Sequence, residues 1–310
     1  MRVSSTQYHI TVNSSLQENN SQLEKLMAQM GSGNRLTKPS DDPITHVRIS
    51  RLQREEASNT QYQSNILALS TRMSQSETVL TSMNGDLQEM RDLLVWALDG
   101  SNTEEDLAAM SANLKAFRDS IYTSTLTKDQ EGNYLFSGTA TRSATVALDE
   151  TQPAGQRYSM GGNASKQMVQ VGNGLVQPAN VVLTDGATNS TNSMAYWLNQ
   201  LDVAIDALEQ GKTSNDAVVR TALTAGLQTI DSAMDGISER VAQLGGGQNI
   251  LATLGTNLGN LSTANKIAIL DYAQLDYAEA AVQLNTLQAA IKATQSAYGR
   301  VSQLSLFDAL

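Results

Sequence analysis

The chain has 310 residues and a net charge of −10 at pH 7, from 21 basic and 31 acidic side chains. This acidic balance argues against nucleic acid and against an anionic membrane surface as partners, because both require clustered cations. The absence of cysteine excludes disulfides, thiolate metal sites and a cysteine nucleophile, and two histidines alone disfavour a histidine-based zinc site. No apolar run is long enough for membrane insertion, and the N-terminus lacks the apolar core of a Sec-type signal peptide.

A long helix is predicted near the N-terminus because apolar residues recur there at alternating spacings of three and four. One polar residue, Asn19, interrupts this seam, and a lone polar residue at such a position tends to fix register rather than add stability. An apolar seam has to be buried against another helix. Its apolar members are therefore candidate assembly residues: Val12, Leu16, Leu23, Leu26 and Met30.

Residues 31–50, GSGNRLTKPSDDPITHVRIS, contain glycines, prolines and two adjacent acids that could belong to a ligand loop. Asp41 and Asp42 form a poor acid–base pair, because neighbouring carboxylates on an extended segment point in different directions. Calcium needs oxygen ligands spread over about twelve residues, and a phosphate-binding loop needs a glycine directly before its lysine. Neither pattern is present, so no catalytic, cofactor-binding or metal site is predicted here or elsewhere in the chain.

The same stretch is better explained as a connector between two helices. Gly31 or Gly33 can adopt the left-handed conformation that ends the first helix. The second proline suits the first position of the next helix, with Asp42 before it as the N-cap. Arg35 and Lys38 could pair with the two acids. The predicted connector residues are Arg35, Pro39, Asp41, Asp42 and Pro43.

The longest apolar seam starts at Tyr62 and predicts a helix of ten turns. Its members are Ile66, Leu69, Met73, Ser76, Leu80, Met83, Leu87, Met90, Leu94 and Ala97. Further helices are predicted at 104–127, with Thr103 as a candidate cap, and at 193–210 and 214–244. The run Gly245–Gly247 predicts a helix interruption after the last of these, in preference to a phosphate-contacting loop.

Residues 131–191 break the helical pattern and contain eight glycines and two of the four prolines. Short runs typical of strands are NYLFSG, SATVAL, QMVQV and NVVLT, with the turn signal VGNGLV between the last two. We interpret this segment as a small inserted β domain, with a long disordered loop as the alternative.

A second terminal seam predicts a continuous helix over roughly residues 265–306. It follows Leu270, Ala273, Tyr277, Ala280, Leu284, Leu287, Ile291, Thr294, Tyr298 and Val301. The candidate assembly residues among them are Leu284, Leu287, Ile291, Tyr298 and Val301. The predicted fold class is therefore mainly α, with long coiled-coil-like helices at both chain ends and a small β-rich domain in the middle.

Four segments, in this order along the chain, resemble bacterial flagellar axial proteins, the family of flagellins and hook-associated proteins. They are MGSGNRLTKPSDDP, DQEGNYLFSGTAT, ERVAQLGGGQNIL and LDYAEAAVQLNTLQAAIKATQSAYGRVSQLSLF. The stretch YLFSG and the ending SLF are similar to hook–filament junction members rather than to flagellin.

The resemblance implies assembly rather than enzymatic activity. Such a protein forms a ring or layer with copies of itself between the first hook-associated protein and flagellin. It is secreted through the flagellar type III channel to the extracellular flagellum, with an export chaperone on its C-terminal helix. The alternatives are a flagellin, the filament subunit itself, and another secreted coiled-coil surface protein.

The resemblance also implies a division into domains. Residues 1–42 and 262–310 are the expected tube-forming helical segments, disordered in the free monomer. Residues 43–130 and 192–261 are the expected helical bundle core, and 131–191 the inserted outer domain.

Overall fold

The computed structural model describes residues 2–186, 190–210 and 213–307, with side chains for 7–186, 190–210 and 213–300. Within these residues, long helices dominate and four short strands lie between the third and fourth helix, which confirms the predicted fold class. The elements are α1 (Arg2–Ser32), α2 (Pro43–Ala97), α3 (Glu104–Thr125), β1 (Val146–Leu148), β2 (Tyr158–Met160), β3 (Met168–Gly172), β4 (Leu175–Pro178), α4 (Met194–Glu209), α5 (Ala217–Ala273) and α6 (Tyr277–Phe307). No described helix is both long and apolar enough to cross a membrane.

The chain forms two compact units, whose boundaries fall within α2 and α5. Unit 1 comprises Met1–Asn59 and Asn260–Leu310, and unit 2 comprises Thr60–Gly259. Unit 1 thus contains both terminal segments, and unit 2 contains the whole β insert. The functional division into tube-forming segments, bundle core and outer domain stays a prediction.

The core of unit 2 is built on the α2 seam, which was predicted correctly at every position from Ile66 onward. Each of these residues is at most 8% exposed, and they pack with buried residues of α3, α4 and α5 in one cluster. The polar member, Ser76, satisfies its hydroxyl by donating to the Arg72 carbonyl 3.0 Å away on its own helix. Burying one large aliphatic side chain contributes about 1.5–3 kcal/mol, so this seam is the main stabilising feature of the unit.

Two helix starts agree with the sequence. Thr103 caps α3, and its hydroxyl accepts from the Asp106 amide while the Asp106 carboxylate accepts from the Thr103 amide, a complete capping box. Ser193 caps α4 by accepting from the Tyr196 amide.

The predicted interruption at Gly245–Gly247 is wrong, because α5 runs through it without a break. Each helical glycine costs about 1 kcal/mol relative to alanine. The flanking residues Leu244 and Leu251 are 1% exposed, and their burial offsets that cost. Gly247 also lies against the Met73 side chain, where an added Cβ would come within 3.0 Å of Met73 Cε.

The insert contains two antiparallel hairpins, β1 with β2 and β3 with β4, and is otherwise irregular. SATVAL contains β1 and QMVQV covers all of β3 except Gly172, as predicted. VGNGLV forms the turn of the second hairpin, with Gly174 at φ +71°. NYLFSG and NVVLT were predicted as strands but are not. Leu135 and Phe136 of the first are fully buried in loop conformation. The apolar side chains of the two segments fill the core. Backbone groups that would be paired in a β-ladder are here hydrogen-bonded by side chains; for example, Asn180 accepts from the Gln167 amide.

Arginine contacts, two of them to a buried aspartate, fix the insert and the helices of unit 2 against each other. Arg240 of α5 donates from Nε to the Val182 carbonyl at 2.7 Å, and burial lowers its pKa. Asp202 of α4 is 1% exposed and accepts from Arg118 of α3 and from Arg157 next to β2. These contacts join the insert to α4 and α5, and join α3 to α4, through groups that would be costly to leave unpaired.

α5 contains glycines packed against other side chains and glycines with open space around them, and adding a methyl group is expected to have opposite effects at the two. Gly236→Ala places its Cβ 2.6 Å from Trp197 Cη2 and is expected to destabilise the chain by about 1–3 kcal/mol. Gly246→Ala meets nothing within 4 Å and is expected to stabilise by about 0.5–1 kcal/mol. Urea unfolding monitored by circular dichroism measures both midpoints. A lower midpoint for Gly246→Ala would contradict the continuous helix.

Candidate assembly site

The candidate site is the pair formed by α1 and α6 in unit 1, together with the connector that follows α1. A buried cluster joins α1 to α6 and to the loop before α6. Its members are Leu26 of α1, Leu275 of the loop and Ala280 of α6. Partly buried residues pack against this cluster: Met30, Leu284 and Leu287. The two predicted terminal seams therefore meet, as their apolar character requires.

Burial of the predicted assembly residues is incomplete. Val12 and Leu26 are buried. The others whose side chains are described are half-buried: Leu16, Leu23, Met30, Leu284, Leu287, Ile291 and Tyr298. Tyr298 contacts His9 edge-on, with ring centroids 5.4 Å apart. The side chain of Val301 lies outside the described residues, and the role of the set in assembly stays a prediction.

The predicted continuous helix over 265–306 is wrong, because α5 ends at Ala273 and α6 begins at Tyr277. Asp276 caps α6, accepting at Oδ1 from the amides of Ala278 (2.9 Å) and Glu279 (3.2 Å). The predicted seam was counted across this break as if the helix were continuous. Two of its members near the break, Leu270 and Tyr277, are therefore not on a buried face and are exposed. The signal was present in the sequence, since Asp276 followed three residues later by Glu279 has the spacing of a capping box.

The break is held against the connector by a two-bond antiparallel bridge. The Arg35 amide donates to the Ala273 carbonyl at 2.7 Å, and the Leu275 amide donates to the Gly33 carbonyl at 3.0 Å. Arg35 also donates from Nη2 to the Tyr272 carbonyl at 3.4 Å. We call this arrangement the clasp. It ties the C-terminal end of α1 to the α5–α6 junction.

Gly33 makes the clasp possible. Its φ of +73° is left-handed, and its amide donates to the Gln29 carbonyl at 2.8 Å, which ends α1. The sequence left Gly31 and Gly33 as alternatives, and Gly31 remains helical. An added Cβ at Gly33 would lie 3.3 Å from the hydroxyl of Tyr277, which itself donates to the Met30 carbonyl at 3.1 Å.

Asp41 organises the turn in the connector. Its Oδ2 accepts from the Thr37 amide, the Thr37 hydroxyl and the Lys38 amide at 3.0–3.2 Å. Its Oδ1 pairs with Lys25 Nζ of α1 at 2.8 Å. The hydrogen bond from Lys25, followed by that from the Lys38 amide, holds the pKa of Asp41 far below its usual range. The predicted pairing of Asp41 with a connector cation is therefore wrong, because α1 brings Lys25 closer and Lys38 contributes only its backbone.

Asp42 and Pro43 start α2 as predicted, and Pro39 lies in the turn before them. Pro39 lies at the second position of a turn closed by the Asp41 amide and the Lys38 carbonyl at 3.0 Å. Pro43 is the first residue of α2. Asp42 caps that helix by accepting from the Thr45 amide at 3.1 Å, and its Oδ2 lies 3.8 Å from Arg35 Nη2. Hydrogen bonds from Thr45 are the largest cause of its lowered pKa.

Sequence reasoning missed a second polar contact in unit 1, between α2 and α5. Glu56 pairs with Lys266 Nζ at 3.2 Å and accepts from the Ser262 hydroxyl. The Ser262 hydrogen bond is the largest cause of the lowered pKa of Glu56. These partners are about 200 residues apart, so no local pattern links them.

The charged groups of the site are committed to structural contacts. Among the described residues, no group of three histidine, aspartate or glutamate side chains could hold a metal ion. The carboxylates of the connector are used to fix turns and helix starts. What the arrangement offers is a helix pair with part of its apolar surface uncovered.

Comparisons with known proteins agree with this geometry. Residues 3–141 match the bacterial flagellin N-terminal helical region, and residues 227–310 match the bacterial flagellin C-terminal helical region. Flagellar hook-associated protein 3 of Escherichia coli is 26% identical over 93% of each chain, and flagellin of Bacillus subtilis is 27% identical over 84% of each chain. The solved structure of a flagellar hook-associated protein from Vibrio parahaemolyticus is 30% identical, with a TM-score of 0.67, and covers 76% of this chain and 100% of its own.

The Lys25–Asp41 pair predicts a specific effect on titration. Lys25→Met removes the largest cause of the depressed pKa, so the pKa of Asp41 is expected to rise toward its usual value. Because the folded-state pKa of Asp41 is depressed, its stabilising contribution is present above the unfolded pKa and is lost as pH falls through the folded one. Carboxyl NMR shifts recorded across an acid titration measure the change.

Lys38→Met is the matched control, because only the Lys38 backbone contacts Asp41. It is expected to leave the titration of Asp41 unchanged. An equal rise in both variants would show that general charge, rather than the Lys25 contact, sets this pKa.

Proposed function

The chain belongs to the family of bacterial flagellins and flagellar hook-associated proteins, and we propose that it joins the flagellar hook to the flagellin filament as a structural junction protein. The observation that carries the proposal is the match to hook-associated protein 3 over 93% of both chains. That match spans the terminal helices, the bundle and the insert. The flagellin relative matches over a smaller share, 84%.

The α1–α6 pair supplies the means of assembly. Each helix covers only part of the seam of the other, and the residues along it are mostly half-buried. Copies packed side by side would cover the rest, and removing apolar surface from water contributes about 25 cal/mol for each Å². Polymerisation through the terminal helices is therefore the proposed mechanism.

The proposed partners follow from the position of such a protein. Copies of the chain form a ring or layer outside the cell, with the first hook-associated protein on one side and flagellin on the other. An export chaperone covers the C-terminal helix before secretion. This work requires no catalytic group.

The connector has a structural role in this proposal. Asp41 fixes its turn, Asp42 starts α2, and the clasp holds both to the α5–α6 junction. The direction in which α1 leaves the connector is thereby set by hydrogen bonds. A lattice needs this, because every copy must present its helix pair in the same way.

Deletion of the gene in the bacterium that encodes the chain tests the proposal. The expected result is hooks without filaments, with flagellin released into the medium and motility lost. Electron microscopy and an immunoblot of the medium provide the measurements. Hooks that carry normal filaments would contradict the junction role. If the filaments are missing and the medium contains no flagellin, the deleted chain is itself the flagellin.

A charged substitution in the seam tests the mechanism. Leu287→Glu places a carboxylate against the cluster of Leu26 and Ala280 and is expected to abolish filament attachment, because an unpaired charge resists burial. Gln288→Glu adds the same charge at the neighbouring exposed position and is the matched control. Both proteins are assayed by complementing the deletion strain.

Circular dichroism of the purified variants shows whether unit 2 remains folded. Normal filaments in the Leu287→Glu strain would exclude the seam as the assembly surface. Equal loss in both variants would indicate that added charge alone is responsible.

A further inference from the structure

The net charge of the chain lies entirely on one unit. Unit 1 has ten basic and ten acidic residues, whereas unit 2 has eleven basic and twenty-one acidic residues. Two copies therefore repel each other where unit 2 approaches unit 2, but not where unit 1 approaches unit 2. Any contact that uses unit 2 should then involve a cationic surface on unit 1.

Such a surface exists on the first turns of α2, in unit 1. Ile44, Val47, Arg48, Arg51 and Arg54 follow helical spacing and share one face, which we call the basic stripe. Ile44 is 69% exposed and Val47 64% exposed, so two large apolar side chains lie uncovered next to the cations, at the N-terminal end of the stripe.

The three arginines of the basic stripe lie outside the ion pairs found among the described residues. All three are exposed, and none forms an ion pair within the part of the chain that the structure describes. Glu55 lies on the same face, which leaves the stripe with two net positive charges.

A complementary surface lies near the other end of α2, in unit 2. Glu89, Asp92, Val95 and Trp96 share a face that points away from the buried residue Met90 and its seam, and we call it the acidic stripe. Val95 is 50% exposed and Trp96 58% exposed.

The carboxylates of the acidic stripe are likewise outside the ion pairs of the described residues, although Asp92 lies near enough to Arg91 to raise the pKa of that arginine. Glu89 and Asp92 form no ion pair among the described residues, and the neighbouring Arg91 is committed to Asp231 at 2.9 Å. The stripe therefore has two net negative charges and two uncovered apolar side chains, the counterpart of the basic stripe.

We propose that the basic stripe of one copy docks on the acidic stripe of a second copy. Opposite charges orient the contact and keep like stripes apart, while Trp96 and the aliphatic side chains supply apolar burial. The contact joins two different patches, so it is heterologous and propagates from copy to copy. It rests on the proposed self-assembly and adds to it a surface outside the terminal helices.

The contact is expected to be weak by itself and sensitive to salt. One helical stripe is smaller than the roughly 800 Å² per partner of a standard interface. Its charged groups are exposed, so ions screen them over about 10 Å at 0.1 M ionic strength. It would reinforce an assembly that the terminal helices also hold.

Charge reversal of the purified full chain tests the inference. One variant carries Arg48→Glu and Arg51→Glu, and a second carries Glu89→Lys and Asp92→Lys. Each is expected to weaken self-association at low salt by at least about tenfold, because attraction between stripes becomes repulsion. The variant with all four changes restores opposite charges and is expected to associate like the original chain. Sedimentation velocity over a concentration series measures each case.

Arg142→Glu with Lys166→Glu is the matched control, because it makes the same change in net charge at exposed positions of unit 2. It is expected to leave association unchanged. An effect equal to that of the Arg48 and Arg51 variant, or failure of the fourfold variant to restore association, would overturn the inference. So would an original chain that stays monomeric at every concentration and at low salt.

The outcome is separable from that of the proposed function. If Leu287→Glu abolishes association while reversal of either stripe leaves it unchanged, the stripe contact is wrong and the junction proposal stands. If the deletion strain keeps normal filaments, the junction proposal is wrong whatever the stripes do.

Discussion

A long helix in water is stable only when its apolar seam is covered, and the two units of this chain meet that requirement to different extents. In unit 2 the α2 seam from Ile66 to Ala97 is buried by helices of the same chain. In unit 1 the described seam residues of α1 and α6 pack against each other and the loop before α6, and most of them remain half-buried. One physical rule therefore produces both a self-sufficient unit and a unit that is suited to receive neighbours.

The parts of the fold that could be predicted from the sequence are those set by local chemistry. The helical period alone located every buried residue of the α2 seam, and capping rules identified Asp42 and Thr103. The wrong predictions concern competition between local and tertiary effects. At Gly245–Gly247 packing outweighs helix propensity, and in NYLFSG core filling outweighs strand pairing. The Lys25–Asp41 pair depends on how α1 lies against the connector, which no spacing encodes.

The comparisons and the geometry constrain function in different ways. Similarity to flagellin helical regions at both ends shows the family, and the near full-length match to hook-associated protein 3 favours the junction role. The geometry shows what the polar groups of unit 1 do: carboxylates cap helices and close turns, and the clasp ties the end of α1 to the α5–α6 junction. The apolar surface of the α1–α6 pair stays partly uncovered, which suits the proposed assembly.

The composition of unit 1 has a consequence for the order in which the chain folds. Its two segments, Met1–Asn59 and Asn260–Leu310, are separated by the 200 residues of Thr60–Gly259. The clasp and the α1–α6 cluster thus join partners at opposite ends of the sequence, and contacts of such high order form late. Unit 2 contains both partners of every contact in its own core, so that core does not depend on either terminal segment. α1, by contrast, depends on α6 for its packing partner, and removal of α6 is therefore expected to deprive α1 of its structure as well.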